Sequence, residues 1–235
     1  MRINRYIAAS GHCSRRQADR LLAAGKVLLN GEIAPLGVDI KKGDVVTIDG
    51  KKIEPVTKDE LIYMAFNKPI NVTTTTDPRR RDNIIDYIGY PKRIFPVGRL
   101  DRDSDGLILL TNDGDIVNRI LRVQNGHEKE YAVTVDKAHT PEALKEMEEG
   151  VILDGVKTLP CKITPTGTHT YRIILKQGLN RQIRKMAKSV GLTVVALTRI
   201  RIMHINLGNL KSGRYRMLTK KEVRDLMDLL TDSVN

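Results

Sequence analysis

The chain has 235 residues, 40% of them hydrophobic, enough to bury one large core or two smaller ones. Its net charge of +12 points to a polyanionic partner, either nucleic acid or an anionic membrane surface. No apolar run approaches the roughly 20 residues that span a bilayer, and Met1-Arg2-Ile3-Asn4-Arg5 lacks the apolar stretch of a secretory signal, so a membrane partner is excluded and a cytoplasmic location is expected.

Cys13 and Cys161 lie far apart and form no metal-spaced pair, which in a reducing compartment reads as two free thiols. The charge is uneven. Residues 1–26 hold six basic residues against one acid, and residues 176–224 hold thirteen against one. A merely solvated surface interleaves its signs. Two basic blocks predict two contact surfaces on one long polyanion.

In chain order, Ile3, Tyr6 and Ile7 form an apolar stripe on a first short helix. Ser14 is placed to cap a second helix, with Ala18, Leu21 and Leu22 inward and Arg15, Arg16 and Arg20 outward. Gly25 ends it. Val27-Leu28-Leu29 is a strand that runs into an Asn30-Gly31 turn, and residues 42–50 repeat the pattern of turn, strand and turn. The segments Arg5-Tyr6-Ile7, Ser14-Arg15-Arg16-Gln17-Ala18, Gly25-Lys26-Val27, Leu29-Asn30-Gly31 and Lys42-Gly43-Asp44 resemble the S4 RNA-binding module. That resemblance implies that the second helix and following strand face RNA, with Arg5, Arg15, Arg16, Arg20 and Lys26 as contacts. Residues 54–61, polar with one proline, read as a linker.

The second half mixes strands and helices without regular alternation, which predicts an α+β domain with a mostly antiparallel sheet. Leu107–Thr111 is a buried strand. Asp115–Leu121 is a short helix, with Ile116, Val117, Ile120 and Leu121 inward. Tyr131–Val135 alternates as a strand should. Thr140-Pro141 opens a helix that stops at Gly150. Tyr171–Leu175 is a further strand. Residues 180–190 are helical, with Ile183, Met186, Ala187 and Val190 on one face. Thr219-Lys220-Lys221-Glu222 is a capping box before a last amphipathic helix.

The densest functional segment is Gly98-Arg99-Leu100-Asp101-Arg102-Asp103-Ser104-Asp105-Gly106. Alternating acids before a glycine invite a calcium-loop reading. Counted from Asp101, however, position twelve is Asn112 rather than glutamate, and the flanks read as strands rather than helices. A glycosidase-like pair of Asp101 and Asp105 is weaker still, because spacing on a turn fixes no carboxylate separation and +12 suits no neutral glycan. A plain acidic surface turn is the remaining alternative. In a cationic protein, an acid that acts on the sugar or base beside a phosphate chain makes better sense.

Gly98-Arg99-Leu100-Asp101, Asp105-Gly106-Leu107 and Leu109-Leu110-Thr111-Asn112-Asp113-Gly114 resemble the signature of the RNA pseudouridine synthases, in the branch that carries an N-terminal S4 module. Asn67-Lys68-Pro69, Lys129-Glu130-Tyr131 and Gly178-Leu179-Asn180-Arg181-Gln182-Ile183-Arg184-Lys185-Met186 resemble three further family segments in the right order. Asn180-Arg181-Gln182 is similar to the synthase F type within that branch, whose substrate is large-subunit RNA. One departure is Asn71, where relatives carry glycine; asparagine tolerates a left-handed backbone, so the turn is expected to survive.

The resemblance implies an S4 domain with linker over residues 1–61, then a catalytic domain over 62–235 whose mixed, mainly antiparallel sheet is flanked by helices. It implies Asp101 as the catalytic carboxylate, attacking ribose C1′ or removing a sugar proton. An ionised acid in a partly dehydrated pocket needs a nearby cation, and Arg184 matches the family's partner arginine. Tyr131 matches the tyrosine that stacks on uracil and takes the C5 proton. Arg99 resembles the residue that fills the space left by a flipped base. Lys68, Arg181, Lys185 and Arg201 complete the expected RNA contacts, and Lys188, Arg199, Arg214 and Arg216 belong to the same basic surface.

No cofactor and no metal are expected, since the isomerisation changes no oxidation state and transfers no group. The expected partner is ribosomal RNA, 23S above all and a transfer RNA as a second possibility, with no obligate protein partner and a monomeric enzyme. The contrasting reading is a non-catalytic RNA-binding or ribosome-assembly protein, which would have no reason to keep Asp101.

Overall fold

The structure, a computed structural model, describes residues 1–233. Packing divides the chain into two compact units. The first holds residues 1–62 with 90–94 and 111–114, and the second holds 63–89, 95–110 and the chain from 115 onward.

The first unit begins with helices α1 (Ile3–Ala9) and α2 (Arg15–Ala23). Ser14 caps α2 by accepting from Gln17 N at 3.2 Å, and Gly25 follows its end at φ +66°. Strands β1 (Val27–Leu29), β2 (Glu32–Ile33), β3 (Val46–Ile48) and β4 (Lys51–Ile53) form a sheet in the order β2-β1-β3-β4. Asn30-Gly31 and Asp49-Gly50 turn the two hairpins with positive φ at both positions, as two-residue hairpin turns require. Ile3, Ile7, Ala18, Leu22, Val27, Val46 and Ile48 make the core. The segment expected to be a linker is ordered. Thr57 and Glu60 form a reciprocal capping box around a 3-10 turn at Lys58–Glu60. The Asn112 side chain then accepts from Ile62 N at 2.7 Å and donates to the Glu60 carbonyl at 3.0 Å. A polar composition marked the segment as exposed, and its residues 57–60 are exposed, but local side-chain hydrogen bonds give it a defined turn.

The second unit runs through β5 (Tyr63–Lys68), α3 (Ile84–Ile88), β6 (Phe95–Val97), β7 (Asp105–Thr111), α4 (Asp115–Leu121), β8 (Lys129–Val135), α5 (Pro141–Glu149), β9 (Ile152–Leu153) and β10 (Val156–Lys157). It continues with β11 (Lys162–Pro165), β12 (Thr170–Leu175), α6 (Gln182–Ser189), β13 (Val194–Ile202), β14 (Ile205–Asn206), β15 (Tyr215–Met217) and α7 (Lys220–Leu230). Thr140 and Thr219 cap α5 and α7 as expected. The large sheet has the order β11-β12-β8-β13-β7-β5-β15. With the S4-type hairpin unit ahead of it, this is the expected α+β architecture. One core joins β8, β12, β13, α5 and α6; another joins β5, β7, α4, β14 and α7. No helix among the described residues is long and apolar enough to cross a membrane.

The two parts of this sheet meet where β13 runs parallel to β7, with Thr198 opposite Asp105 and Arg199 opposite Gly106. The approach is so close that a Cβ on Gly106 would lie 2.3 Å from the Arg199 carbonyl oxygen, and its φ of +99° is itself unfavourable for any other residue. Gly106→Ala should therefore cost about 1–3 kcal/mol from overpacking alone. Urea unfolding beside the parent measures this; an unchanged midpoint would show that the seam yields.

Candidate functional site

Asp101 sits on the connection from β6 to β7. This stretch has no regular ladder, yet each carbonyl from Arg99 to Asp103 accepts a hydrogen bond from a different partner. Arg199 Nη1 donates to Arg99 O at a long 3.5 Å, and Thr74 Oγ1 to Leu100 O at 2.8 Å. Ser104 N donates to Asp101 O at 3.1 Å, closing the turn itself. Asn71 N donates to Arg102 O at 2.7 Å, and Arg184 Nη2 to Asp103 O at 2.8 Å. Asn71 reaches this position from the left-handed region, at φ +67°, so its glycine-like conformation is used. Segments far apart in sequence converge because they satisfy one turn.

A cleft of about 440 Å³ opens over the turn. Asp101, Arg99, Lys129, Tyr131, Arg181 and Arg199 contribute its polar lining, with Leu179, Ile183 and Leu197 among its apolar walls. Tyr131 lies on β8 directly across from Arg199 on β13, and the Arg199 guanidinium carbon is 5.9 Å from the ring centroid. Arg99 is exposed and also borders a second cleft with Thr73, Thr74, Thr75, Thr76 and Arg80. Asp105 opens β7 and is not among the lining residues, so it forms no acid pair with Asp101 across the cleft. Among the described residues no group of three metal-ligating side chains is assembled.

The cations are placed differently from expectation. Arg184 does not hold the Asp101 carboxylate. Its Nη2 donates to Asp103 O and to Ser104 Oγ, at 2.8 and 3.3 Å, and its Nη1 to Val194 O at 3.0 Å. The cation within ion-pair range of Asp101 is Arg181, with Nη1 4.0 Å from Oδ2. Arg181 caps α6 from a left-handed backbone at φ +51° and grips Asp103 with both Nη atoms, at 3.1 and 2.7 Å. Those bonds hold the Asp103 carboxyl below the usual range. Beneath Arg181, the buried Gln182 accepts from Leu179 N at 3.0 Å, which fixes the turn into α6.

Several expected RNA contacts are buried or already engaged by partners within the chain. Lys68 is fully buried, with Nζ donating to Pro69 O and Val72 O at 2.8 and 2.9 Å. Arg201 pairs with Glu130 at 2.8 Å and Glu128 at 3.1 Å. Lys185 pairs with Asp154, and Arg216 with Glu222 at 2.7 Å. Arg199 is 2% exposed. Glu128, Glu130 and Asp154 are distant in sequence from their partners, so only the fold reveals those pairings. By contrast, Arg15, Arg16, Arg20 and Lys26 are exposed in the first unit, Arg5 is half-buried on α1, and Lys188 and Arg214 are exposed in the second. Lys129, named in a motif but not among the expected site residues, lines the cleft. It lies two positions before Tyr131 on the same strand, a spacing that puts both on one face. Burial, and then the charge of Arg199, push it down to about 8.

Residues 62–189 match the family described as RNA pseudouridylate synthase, and residues 1–46 match the S4 domain. The chain belongs to the RNA pseudouridylate synthase family. It is 48% identical over 233 residues to the dual-specificity RNA pseudouridine synthase RluF of Escherichia coli K12, covering 99% of this chain and 80% of that protein. It is 34% identical over 243 residues to the ribosomal large subunit pseudouridine synthase B of Bacillus subtilis 168, covering 100% of this chain and 98% of that protein. A crystal structure of a pseudouridylate synthase superimposes with a TM-score of 0.70 at 29% identity, covering 96% of this chain and 99% of that one. This synthase is therefore an isomerase, and the binding-only reading is set aside.

Lys68 gives the site a pH signature. Burial brings it down to about 8 from the ordinary 10.5, partly offset by Asp105 and Asp101. Between those values the unfolded chain binds more protons than the folded one, so the stability carried by Lys68 is lowest below pH 8 and returns as pH rises toward 10.5. Relative to Lys68→Met, which has nothing to titrate there, the parent should gain unfolding midpoint between about pH 7 and pH 10. A difference that stays constant over that range would contradict a buried ammonium.

Proposed function

We propose that this synthase converts a uridine of large-subunit (23S) ribosomal RNA to pseudouridine, with Asp101 as its catalytic carboxylate. The observation that carries the reading is the placement of Asp101: its turn is tied at every carbonyl, Arg181 is within ion-pair range, and Tyr131 lines the same cleft. The choice of RNA is supported by the B. subtilis relative, a ribosomal large subunit pseudouridine synthase. A transfer RNA is proposed as a second substrate, in keeping with the dual-specificity name of the E. coli relative. Residues 1–61 are read as an RNA-holding domain and 62–235 as the catalytic one. The enzyme is read as a monomer without an obligate protein partner, working in the cytosol where its RNA is made.

In the reaction the bond from ribose C1′ to uracil N1 breaks, the base turns, and C5 bonds to C1′. The C5 proton leaves and N1 ends protonated, so atoms balance without an added reagent. Asp101 attacks C1′ or removes a sugar proton; either role uses a carboxylate aimed into a cleft whose walls exclude much of the water. Tyr131 stacks on the base and takes the C5 proton. Arg99, exposed between two clefts, fills the gap left by the flipped nucleotide, whose unstacking costs a few kcal/mol. Arg184 acts through the turn backbone. Each role is filled by a side chain, which is why no cofactor enters the reading.

Asp101→Asn keeps shape and removes charge. Single-turnover conversion should vanish while RNA affinity stays within a few-fold, and measurable turnover would overturn the assignment.

Tyr131→Phe keeps the ring and loses the hydroxyl. General-base contributions of about 10²–10⁴-fold are typical, so the rate should fall by that order with near-normal affinity. An RNA with 5-fluorouridine at the target, which has no C5 proton to lose, should stall in both proteins after the new bond forms. Parental turnover of uridine by Tyr131→Phe would reduce Tyr131 to a stacking residue.

A further inference from the structure

Arg199 is the least accessible charged group bordering the cleft, at 2% exposure, and no carboxylate among the described residues lies within 4.0 Å of it. Its donors go elsewhere. Nε donates to Leu107 O at 2.6 Å, just beyond the Asp101 turn, and Nη1 to Arg99 O at 3.5 Å, just before it. The guanidinium carbon lies over the Tyr131 ring, 5.9 Å from its centroid, and Nη2 is buried without any hydrogen-bond partner. Gly106 lets this happen, because its missing side chain allows β13 to press against β7 at that residue.

We propose that Arg199 is a positioning residue for the isomerisation: it clamps the Asp101 turn at both ends and sets Tyr131 in register with it. This rests on the reading of Asp101 and Tyr131 given above. A packing role alone would not call for arginine. Removing a guanidinium from water is unfavourable, so a side chain whose only work was to fill this space would be better apolar. A side chain that bridges two loop ends and an aromatic face needs the forked, planar group that arginine has and lysine lacks. Misplacing reacting groups by about 1 Å is enough to cost on the order of 10²-fold in rate.

The test compares Arg199→Met, Arg199→Lys and Asp101→Asn with the parent, using transcribed 23S ribosomal RNA. Thermal unfolding, RNA dissociation constants and single-turnover rates are measured for each. Arg199→Met leaves the Leu107 and Arg99 carbonyls without that donor, so it should melt below the parent yet stay folded, bind RNA within about threefold of the parent, and react about 10²-fold more slowly or worse. Arg199→Lys should recover part of that loss, since one ammonium reaches one loop end but not both. Parental turnover by either variant overturns the clamp, as does a loss confined to RNA affinity. If Arg199→Met fails to fold, a folded Arg199→Lys with slow turnover and normal affinity supports the proposal. Turnover by Asp101→Asn would overturn the site reading and the clamp together. An inert Asp101→Asn beside a fully active Arg199→Met would remove the clamp alone.

Discussion

The turn that presents the Asp101 carboxylate into the cleft satisfies only one of its carbonyls, that of Asp101, with its own backbone, and the second unit is arranged around that constraint. A carbonyl left without a partner where water is excluded costs roughly 1–3 kcal/mol, and the other four carbonyls take their donors from elsewhere in the unit. Thr74 and Asn71 arrive from the stretch after β5, Arg184 from α6 and Arg199 from β13. Each brings one donor. The Lys-Pro segment and the Gln-Ile-Arg helix thus meet at the Asp101 turn for a shared backbone reason. Lys68, buried below the Asn71 turn with its ammonium on Pro69 O and Val72 O, belongs to the same scaffold.

The charge distribution has two layers. The sequence shows a block of thirteen basic residues against a single acid over residues 176–224, which reads as an open phosphate-binding face. In the fold, acids from other segments come to meet it: Glu128 and Glu130 reach Arg201, Asp103 reaches Arg181 and Arg184, and Asp154 reaches Lys185. What stays exposed is narrower, and it includes Lys188 and Arg214. The first unit differs. Arg15, Arg16 and Arg20 remain on the outer face of α2, opposite the buried Ala18 and Leu22.

Local signals carried most of the fold. Ser14, Thr140 and Thr219 each cap the helix that their position announces, and Asn30-Gly31 and Asp49-Gly50 each turn a hairpin. The same chemistry at Asp154-Gly155, between β9 and β10, went unread although it was equally visible. The strand β13 was hidden for a different reason. Val194–Ile202 places a buried arginine among apolar residues and breaks its alternation twice, so a period-two search finds no strand there. The site was legible as residue types and order: Asp101, Tyr131 and Arg181 do line one cleft. Partnerships were not legible. Which arginine faces Asp101 depends on the left-handed cap that aims Arg181, and that Arg199 lies inside rather than outside depends on a seam only Gly106 permits.

The irregularity in β13 has one more consequence. Residues two apart on a strand ordinarily face the same way, and Arg199 and Arg201 are two apart. Against β8, however, Arg199 stands opposite Tyr131 while Arg201 stands opposite Glu130, because the register shifts between them at Ile200. One surplus residue therefore sends two neighbouring arginines to opposite faces of the sheet, one beneath the tyrosine and one into an ion pair with Glu130. In a strand of the same length that ran regularly through Ile200, both guanidiniums would point the same way. The cleft would then gain a second cation, and Glu130 would be stranded without its partner. The division of labour between these arginines is written in the register of the strand, and no single substitution would expose it.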